Sequence, residues 1–275
     1  MKEDLDKYIS RRTIEDISNS WLYQCKLWLN DYLKYTKWSI DEEKTLEYCK
    51  TLKEKHPITY FRKKVYQIRR FLEYLQVEWA SSIKLPPEPL YYPKRINYND
   101  IEETISNFKS HKYYKQIRAI ILLGISSGMR PEEMYQLTPK DIEISNRIIH
   151  ISHDPENGKT TKTKRNRIAI FNIEAQEALQ DYLDYFNNQS DLKSLFSLSH
   201  TIRLFRDSKV KVKDLRKYFS QEWDRRGGPT SIKKILMGHS LKGDVDLMHY
   251  NYQSEEDLKK IYDKVMGTGS GVGIG

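Results

Sequence analysis

The order of apolar and polar positions predicts helices in the first third of the chain. Apolar residues between Ile14 and Tyr32 recur at steps of three, four and one, which is the spacing of one helix face. A second helix is predicted from about Asp41 to Lys55. Pro57 separates it from a third helix, whose apolar stripe runs from Val65 to Leu75.

The pattern changes between Ser81 and Asn97, where repeated prolines interrupt any helical period. Such a stretch is typical of a semi-extended linker and predicts a domain boundary. Helices are predicted again from Asp100 to Lys109 and from about Lys112 to Ser127. The β-branched runs Arg147–Ser152 and Arg167–Phe171 flank a polar, lysine-rich turn and predict a hairpin.

Further helices are predicted between Ile173 and Met266, followed by a glycine-rich end. The predicted fold is therefore mostly α, with one small β-hairpin or sheet. We expect a helical domain over residues 1–85, a linker over 86–98, a second domain over 99–266 and a flexible tail over 267–275.

The net charge of +9 favours an anionic partner, and nucleic acid is the commonest polyanion. Cys25 and Cys49 lack metal-ligand spacing, and two cysteines make no disulfide framework, so a reducing compartment is expected. The N-terminus has no apolar signal segment, and no apolar run is long enough to span a bilayer. The sequence therefore predicts a cytoplasmic protein without membrane contact, and it shows no motif for a metal or another cofactor.

Basic residues lie on the polar side of the third predicted helix and at the end of the linker. A solvated face is the ordinary explanation for charged helix positions. Here nearly all the exposed charges of the helix share one sign, which favours contact with nucleic-acid phosphates. The candidate DNA-binding residues are Arg62, Lys63, Arg69, Arg70, Lys94 and Arg95.

The segment 128–134, Gly-Met-Arg-Pro-Glu-Glu-Met, predicts a turn between two helices. Gly128 can end one helix and Pro131 can begin the next, so Arg130 is expected on the connecting turn. A guanidinium beside a helix N-terminus can hold two phosphate oxygens at once. The alternative is that Arg130 pairs with Glu133 and only holds the turn together.

Two later segments carry further candidate side chains. Lys213 and Arg216 are three residues apart at the start of a predicted helix, so they share a face. Gly238 lets the backbone turn and present His239, and Tyr250 follows eleven residues later. A tyrosine alone has little weight, because the chain contains 20 of them.

Together and in this order, these residues resemble the tyrosine recombinase family, which includes the phage-type integrases. The family pattern is an arginine in a G-x-R-x-x-E turn, a lysine in a β-hairpin, an H-x-x-R box, an L-G-H box and a tyrosine nucleophile. The matching residues of this chain are Arg130 with Glu133, Lys162, Lys213 with Arg216, Met237-Gly238-His239, and Tyr250. The resemblance covers Asn99 to Met266, and it implies a DNA-binding role for the helical N-terminal domain and a catalytic role for the second domain.

The resemblance implies a site-specific recombinase that cleaves and rejoins DNA through a 3′-phosphotyrosyl intermediate, without ATP or metal. Arg130 and Arg216 would neutralise the attacked phosphate, and His239 would bind it and shuttle the tyrosine proton. Lys162 would protonate the departing 5′ hydroxyl. Lys213 would act electrostatically, because an ammonium is a poor proton acceptor near neutral pH.

The match to the family leaves some positions open. Lys213 stands where the family usually has histidine, a change found among integrases of archaeal viruses, and it favours a virus or plasmid integrase. The interval from His239 to Tyr250 is slightly longer than usual, so Tyr252 is an alternative nucleophile. The alternatives to the hairpin lysine are Lys159 and Lys164.

The implied partner is double-stranded DNA with specific attachment sites, bound by a homo-tetramer in the cytoplasm, beside the nucleoid or in the host of a virus. A capped helix after Ser254, with Leu258 and Tyr262 on one side, could dock on a neighbouring subunit or pack on its own domain. Competing functions are a type IB topoisomerase-like enzyme, a degenerate recombinase that only binds DNA, and a Xer-like enzyme that resolves chromosome dimers.

Overall fold

The computed structural model describes residues 1–15, 17–186, 194–239 and 254–267. The chain divides into two compact units, Met1–Pro93 and Lys94–Gly275. Residues 83–97 form neither helix nor strand, as expected for the proline-rich segment.

The first unit is helical, but its beginning differs from the prediction. The prediction of one helix face from Ile14 to Tyr32 was wrong at its beginning, because this helix starts only at Asn19 and Ile14 lies before it, 85% exposed. The side chain of Ser18 accepts a hydrogen bond from the Trp21 amide and begins the second helix at Asn19. The elements are α1 Lys2–Arg12, α2 Asn19–Tyr35, α3 Glu42–Lys55, α4 Ile58–Tyr74 and a 3₁₀ helix Glu78–Ser82.

Helix α4 carries much of the apolar core of the first unit. Ile68, Phe71 and Leu72 are fully buried on it, as the stripe predicted. Lys64, at the edge of that stripe, is also buried, and its ammonium pairs with Asp31. The polar side of α4 is therefore narrower than a helical wheel suggests.

The second unit combines helices with one small antiparallel sheet. Strand β2 pairs with β1 on one side and with β3 on the other, and Ile151 lies opposite Arg167. The hairpin prediction is confirmed, whereas β1 was missed because it has only two residues. The helices are α5 Tyr98–Asn107, α6 Tyr114–Ser127, α7 Pro131–Met134, α8 Ile173–Phe186, α9 Leu198–Leu204, α10 Val212–Arg225, α11 Thr230–Leu236 and α12 Glu255–Met266. The strands are β1 Ile142–Glu143, β2 Ile148–Ile151 and β3 Arg167–Ile170, and two 3₁₀ helices span Pro139–Asp141 and Pro155–Asn157.

Helix α6 is the central helix of the second unit, and it packs against α8 and α10. Its close approach to α10 depends on Gly124, where a Cβ would lie only 2.7 Å from Cδ1 of Leu215. The mostly α fold with a small sheet is thus confirmed. None of the helices in the described residues is long and apolar enough to cross a membrane.

Helix α12 packs on its own unit. Its Ser254 cap is confirmed, because the side chain accepts a hydrogen bond from the Asp257 amide at 3.1 Å. Tyr262 is fully buried and donates a hydrogen bond to the Ser126 carbonyl at 2.8 Å. Asp263 accepts hydrogen bonds from Arg147 at 2.7 Å with both carboxylate oxygens.

Candidate active site

The turn that carries Arg130 has the predicted geometry. Gly128 ends α6 with φ of +61°, a left-handed conformation that favours glycine. Arg130 follows in an extended conformation, and Pro131 begins α7. The turn therefore presents the Arg130 side chain between two helix ends.

Both ends of the Arg130 guanidinium are held by hydrogen bonds. One terminal nitrogen donates to Oε1 of Glu133 at 3.0 Å, and the other donates to the Gly238 carbonyl at 2.7 Å. The Arg130 amide also donates to Oε2 of Glu133 at 2.8 Å. The structural pairing with Glu133 is therefore real, and it fixes the guanidinium in one orientation beside the turn that contains Gly238.

Arg216 reaches the same place from α10. Its guanidinium donates a hydrogen bond to the Gly128 carbonyl at 2.6 Å. Burial and the nearby charge of Arg130 lower the pKa of Arg216 to about 10, so it stays charged near neutral pH. Two fixed cations thus meet at the end of α6.

His239 follows the end of α11, after Gly238 with φ of +62°. The His239 amide donates to the Lys234 carbonyl at 2.9 Å, which closes the turn. The side chain reaches solvent, yet desolvation and the charges of Arg216 and Arg130 lower its pKa below the usual value for histidine. The imidazole is therefore neutral near pH 7 and can accept a proton.

The lysine candidates occupy different surroundings. Lys162 lies exposed on the turn between β2 and β3, and Lys213 lies exposed in the first turn of α10. Neither ammonium has an ion-pair or hydrogen-bond partner among the residues that the structure describes. By contrast, Lys159 pairs with Asp141, which is largely buried. Lys164 lies two residues beyond Lys162, in a left-handed conformation with φ of +52°.

Arg167, the first residue of β3, is part of the cluster although the sequence did not single it out. Its guanidinium donates to Oε2 of Glu133 at 2.5 Å, and its side chain is only 10% exposed. The only signal in the sequence was its place at the start of a strand that follows the lysine-rich turn. Tyr250 and Tyr252 lie outside the described residues.

The candidate DNA-binding residues of α4 are partly paired with acids. Arg70 forms an ion pair with Glu15 at 2.9 Å, and Arg69 forms one with Glu73 at 3.3 Å. Lys63 is exposed and Arg62 is half-buried on the same helix. The two linker residues are both exposed, and they are Lys94 and Arg95.

The cluster in the second unit carries more positive than negative charge. Three guanidinium groups, of Arg130, Arg167 and Arg216, influence one another, and Glu133 is the carboxylate in contact with two of them. Glu132, the adjacent acid, is exposed to solvent. Within the described part of the chain, no group of histidine, cysteine and acidic side chains could hold a metal ion. The arrangement is suited to binding an anion with several oxygens, such as a phosphodiester.

Known proteins resemble this chain in sequence and in fold. Residues 94–256, more than half of the 275 residues, match the phage integrase family. Tyrosine recombinase XerC of Histophilus somni (strain 2336) is 22% identical over 220 residues, covering 72% of this chain and 71% of the relative. Tyrosine recombinase XerA of Saccharolobus solfataricus (strain ATCC 35092 / DSM 1617 / JCM 11322 / P2) is 26% identical over 211 residues, covering 74% and 66%.

A solved structure shares the fold over nearly its whole length. The Tn1549 transposon integrase, residues 82–397, superposes with a TM-score of 0.67 at 15% identity, covering 94% of this chain and 97% of that one. The sequence match of residues 94–256 includes the turn of Arg130, the hairpin, α10 and the turn of His239. The chain therefore belongs to the phage integrase family, and it is a tyrosine-type site-specific DNA recombinase.

Proposed function

We propose that the arginine and histidine cluster binds the scissile phosphate of double-stranded DNA and that Tyr250 attacks that phosphate. The observation that carries the proposal is the convergence of Arg130 and Arg216 on the end of α6, where backbone carbonyls fix both guanidinium groups. The charges of both arginines act on the His239 ring, which the adjacent turn presents. Cations fixed in advance stabilise the developing charge of a phosphoryl transition state without reorganisation.

The proposed reaction exchanges one phosphate ester for another. The Tyr250 oxygen bonds to phosphorus, and the bond from phosphorus to the 5′ oxygen breaks. The tyrosine proton passes to His239, whose lowered pKa keeps it neutral and receptive. The departing 5′ oxygen takes a proton from Lys162. The 5′ hydroxyl of another strand then attacks the 3′-phosphotyrosyl ester and gives its proton to Lys162, while the bond from phosphorus to the Tyr250 oxygen breaks and the tyrosine regains its proton from His239. Rejoining therefore needs no nucleotide hydrolysis.

Among the hairpin lysines, Lys162 is the best candidate for the general acid. Lys159 forms an ion pair with Asp141, which restricts the movement of its ammonium group. Lys162 lies exposed on the turn, and that turn is held by Thr161, whose hydroxyl accepts a hydrogen bond from the Arg165 amide. Lys213, in the first turn of α10, contributes positive charge toward DNA.

We further propose that the biological substrate is a pair of attachment sites, recombined by a homo-tetramer in the cytoplasm. The Tn1549 integrase was solved with circular intermediate DNA, which supports DNA binding by this chain. Relatives of both kinds match this chain, the transposon integrase in fold at 15% identity, and XerC and XerA in sequence at 22% and 26% identity. Lys213 in place of histidine favours a virus or plasmid integrase over an enzyme that resolves chromosome dimers.

We propose that α12 stays on its own unit, where Tyr262 is buried, when the tetramer forms. Docking of α12 on a neighbouring subunit would break the hydrogen bond to Ser126 and the ion pair of Asp263 with Arg147. We therefore expect a chain truncated after Asn251 to lose stability first. The measurement is analytical ultracentrifugation of the DNA-bound chain with and without α12. Loss of the tetramer from a truncated chain that still binds DNA and melts cooperatively would instead support docking in trans.

Formation of a covalent adduct tests the proposed reaction. The probe is a suicide duplex: a nicked, radiolabelled DNA whose sequence is selected from a random pool by binding to the wild-type protein. Wild type is expected to form an adduct stable to denaturing gel electrophoresis, and Tyr250→Phe is expected to form none. The control Tyr185→Phe removes a hydroxyl from a half-exposed tyrosine of α8 and should leave the adduct intact.

The other outcomes separate the competing functions. Loss of the adduct only in Tyr252→Phe would move the nucleophile by two residues and keep the enzyme class. Absence of any adduct from wild type, on DNA that it binds, would support a degenerate recombinase. Relaxation of supercoiled DNA without strand exchange between two duplexes would support a topoisomerase-like enzyme.

A further inference from the structure

Arg167 is buried where the Arg130 turn, the His239 turn and the hairpin of Lys162 meet. It begins β3, five residues after Lys162 on the turn that joins β2 to β3. Its register partner across the hairpin is Ile151. Its side chain is directed away from solvent, because only 10% of its surface is exposed. The Arg167 guanidinium is thus largely enclosed by protein groups of the second unit.

The first contact of Arg167 is with the carboxylate that orients Arg130. Oε2 of Glu133 accepts hydrogen bonds from Nη2 of Arg167 at 2.5 Å and from the Arg130 amide at 2.8 Å, while Oε1 accepts one from the Arg130 guanidinium. The Glu133 side chain is only 2% exposed, so this carboxylate depends on its two arginine partners. Removal of Arg167 would leave Glu133 with half of its compensating charge.

The second contact is with the glycine that precedes His239. A Cβ on Gly238 would lie 2.7 Å from Cδ of Arg167 and closer still to its Nε, so the side chain lies directly against the Gly238 backbone. On the other side of that residue, the Gly238 carbonyl accepts the hydrogen bond from Arg130. Glycine is required here for its positive φ and also for the approach of Arg167.

We infer that Arg167 is a positioning residue of the recombination centre, which holds the turns of Arg130 and His239 in register with the hairpin of Lys162. The inference rests on the proposed function. Arg167 joins the three segments through Glu133, through the Gly238 backbone and through its own strand. Its Nη1 is buried without a hydrogen-bond partner among the described residues, so the side chain is not optimised for stability alone.

The test compares Arg167→Met and Arg167→Lys with Arg118→Met and Arg118→Lys. Arg118 is a matched control, since it pairs with Asp181 between α6 and α8, remote from these turns in its contacts. Single-turnover adduct formation on the suicide duplex is expected to fall on the order of 10²-fold in Arg167→Met, because small misplacements of catalytic groups have effects of that size. The dissociation constant for the intact duplex should change less than about threefold, because the residue makes no phosphate contact.

Two further readouts distinguish positioning from general destabilisation. In a double-mutant cycle, the variant that combines Arg167→Met with Glu133→Gln should form the adduct no more slowly than the slower of the two single variants. Both substitutions remove the same contact, between Arg167 and Glu133, so their effects should not multiply. Arg167→Lys keeps the charge but lacks the planar group against Gly238, so it should fold and still lose rate. A wild-type rate in both Arg167 variants, multiplicative effects in the cycle, or parallel loss of affinity and rate would overturn the inference. Absence of an adduct from wild type would overturn the proposed function, and this inference with it.

Discussion

The excess of positive charge around Glu133 favours the binding of an anion at this site. Glu133 forms ion pairs with Arg130 and Arg167, and Arg216 adds a third cation, whose guanidinium donates to the Gly128 carbonyl. Mutual repulsion and burial lower the pKa values of Arg167 and Arg216, so the free site bears an electrostatic cost. A phosphate oxygen at this position would relieve that cost, which is how the site can favour the transition state over the empty protein.

Arg216→Lys tests whether a planar guanidinium is needed at this position. A lysine retains the charge, but its three donors lie on one rotatable ammonium and lack the rigid planar geometry with which a guanidinium can contact the Gly128 carbonyl and a phosphate together. We expect single-turnover adduct formation to fall by about 10²–10³-fold, the usual cost of a lost oxyanion donor. Arg118→Lys is the control, and an unchanged rate in Arg216→Lys would mean that charge alone suffices.

The lowered pKa of His239 predicts the pH dependence of cleavage. Desolvation by burial disfavours the charged ring, and protonation would also place a positive charge beside Arg216 and Arg130, so the lowered pKa keeps the ring neutral to lower pH than in a free histidine. Only the neutral ring accepts the tyrosine proton. The rate of adduct formation, measured at a protein concentration too low to saturate the duplex, should therefore rise with pH through a pKa below ~6.5 and level off above it. His239→Gln should be slow throughout and lose this acidic limb, whereas the same limb in both proteins would assign it to another group.

The lowered pKa of His239 also makes the free energy of unfolding depend on pH. Between the lowered pKa of the folded protein and the ordinary histidine value, the unfolded chain binds more protons than the folded one. The free energy of unfolding therefore contains a contribution that is present above the unfolded pKa and lost as pH falls. Urea unfolding of wild type and His239→Gln across this interval measures it, since the variant should lack that part of the dependence.

At the scale of elements, two glycines allow α10 to lie close against α6. Gly124 faces Leu215 and Gly128 faces Phe219, each at a distance that leaves no space for a methyl group. Because Arg216 lies between Leu215 and Phe219 on α10, this packing also places its guanidinium at the Gly128 carbonyl. The same helix pair therefore determines both the core packing and the position of Arg216 in the proposed phosphate site.

Gly128→Ala and Gly158→Ala separate backbone strain from packing. Both glycines have positive φ, but a Cβ on Gly128 would lie 2.7 Å from Cε1 of Phe219, whereas nothing lies within 4 Å of one on Gly158. We expect Gly158→Ala to lower the free energy of unfolding by about 1–2 kcal/mol through strain alone. Gly128→Ala should have the same loss from strain and a further loss of about 1–3 kcal/mol from overpacking against Phe219. Urea unfolding measures the free energy of unfolding of both variants. Equal losses would show that Phe219 moves aside without cost.

The sequence predicted elements better than it predicted contacts between them. Helices α3, α4 and α6 and the hairpin follow from local periodicity, and the Arg130 turn follows from Gly128 and Pro131. The break between α1 and α2 was missed, because Ile14 happens to continue the apolar spacing of the next helix. The bond from Arg130 to Gly238 joins residues 108 apart, and local patterns carry no information about such pairs. Arg167 was missed for the same reason.

At the scale of the whole molecule, we propose that the first unit contributes to DNA binding and that the second unit carries the chemistry. The second unit contains the cluster around Glu133, and the first contains the basic helix α4. Ion pairs with acids inside the first unit already occupy Arg69 and Arg70. The charges of α4 that are left for DNA are therefore mainly those of Arg62 and Lys63, which have no such partner among the described residues.

Arg62→Ala with Lys63→Ala should weaken DNA binding without changing the chemistry of the bound complex. Each lost phosphate contact lowers the slope of log affinity against log salt by about one, so the pair should lower it by about two. The rate of adduct formation at saturating protein should stay at the wild-type value, because neither residue belongs to the second unit. The matched control is Lys53→Ala with Lys55→Ala, two exposed lysines at the end of α3. Equal changes in slope for both pairs would mean that the first unit attracts DNA through its overall charge, and that α4 is not a specific contact surface.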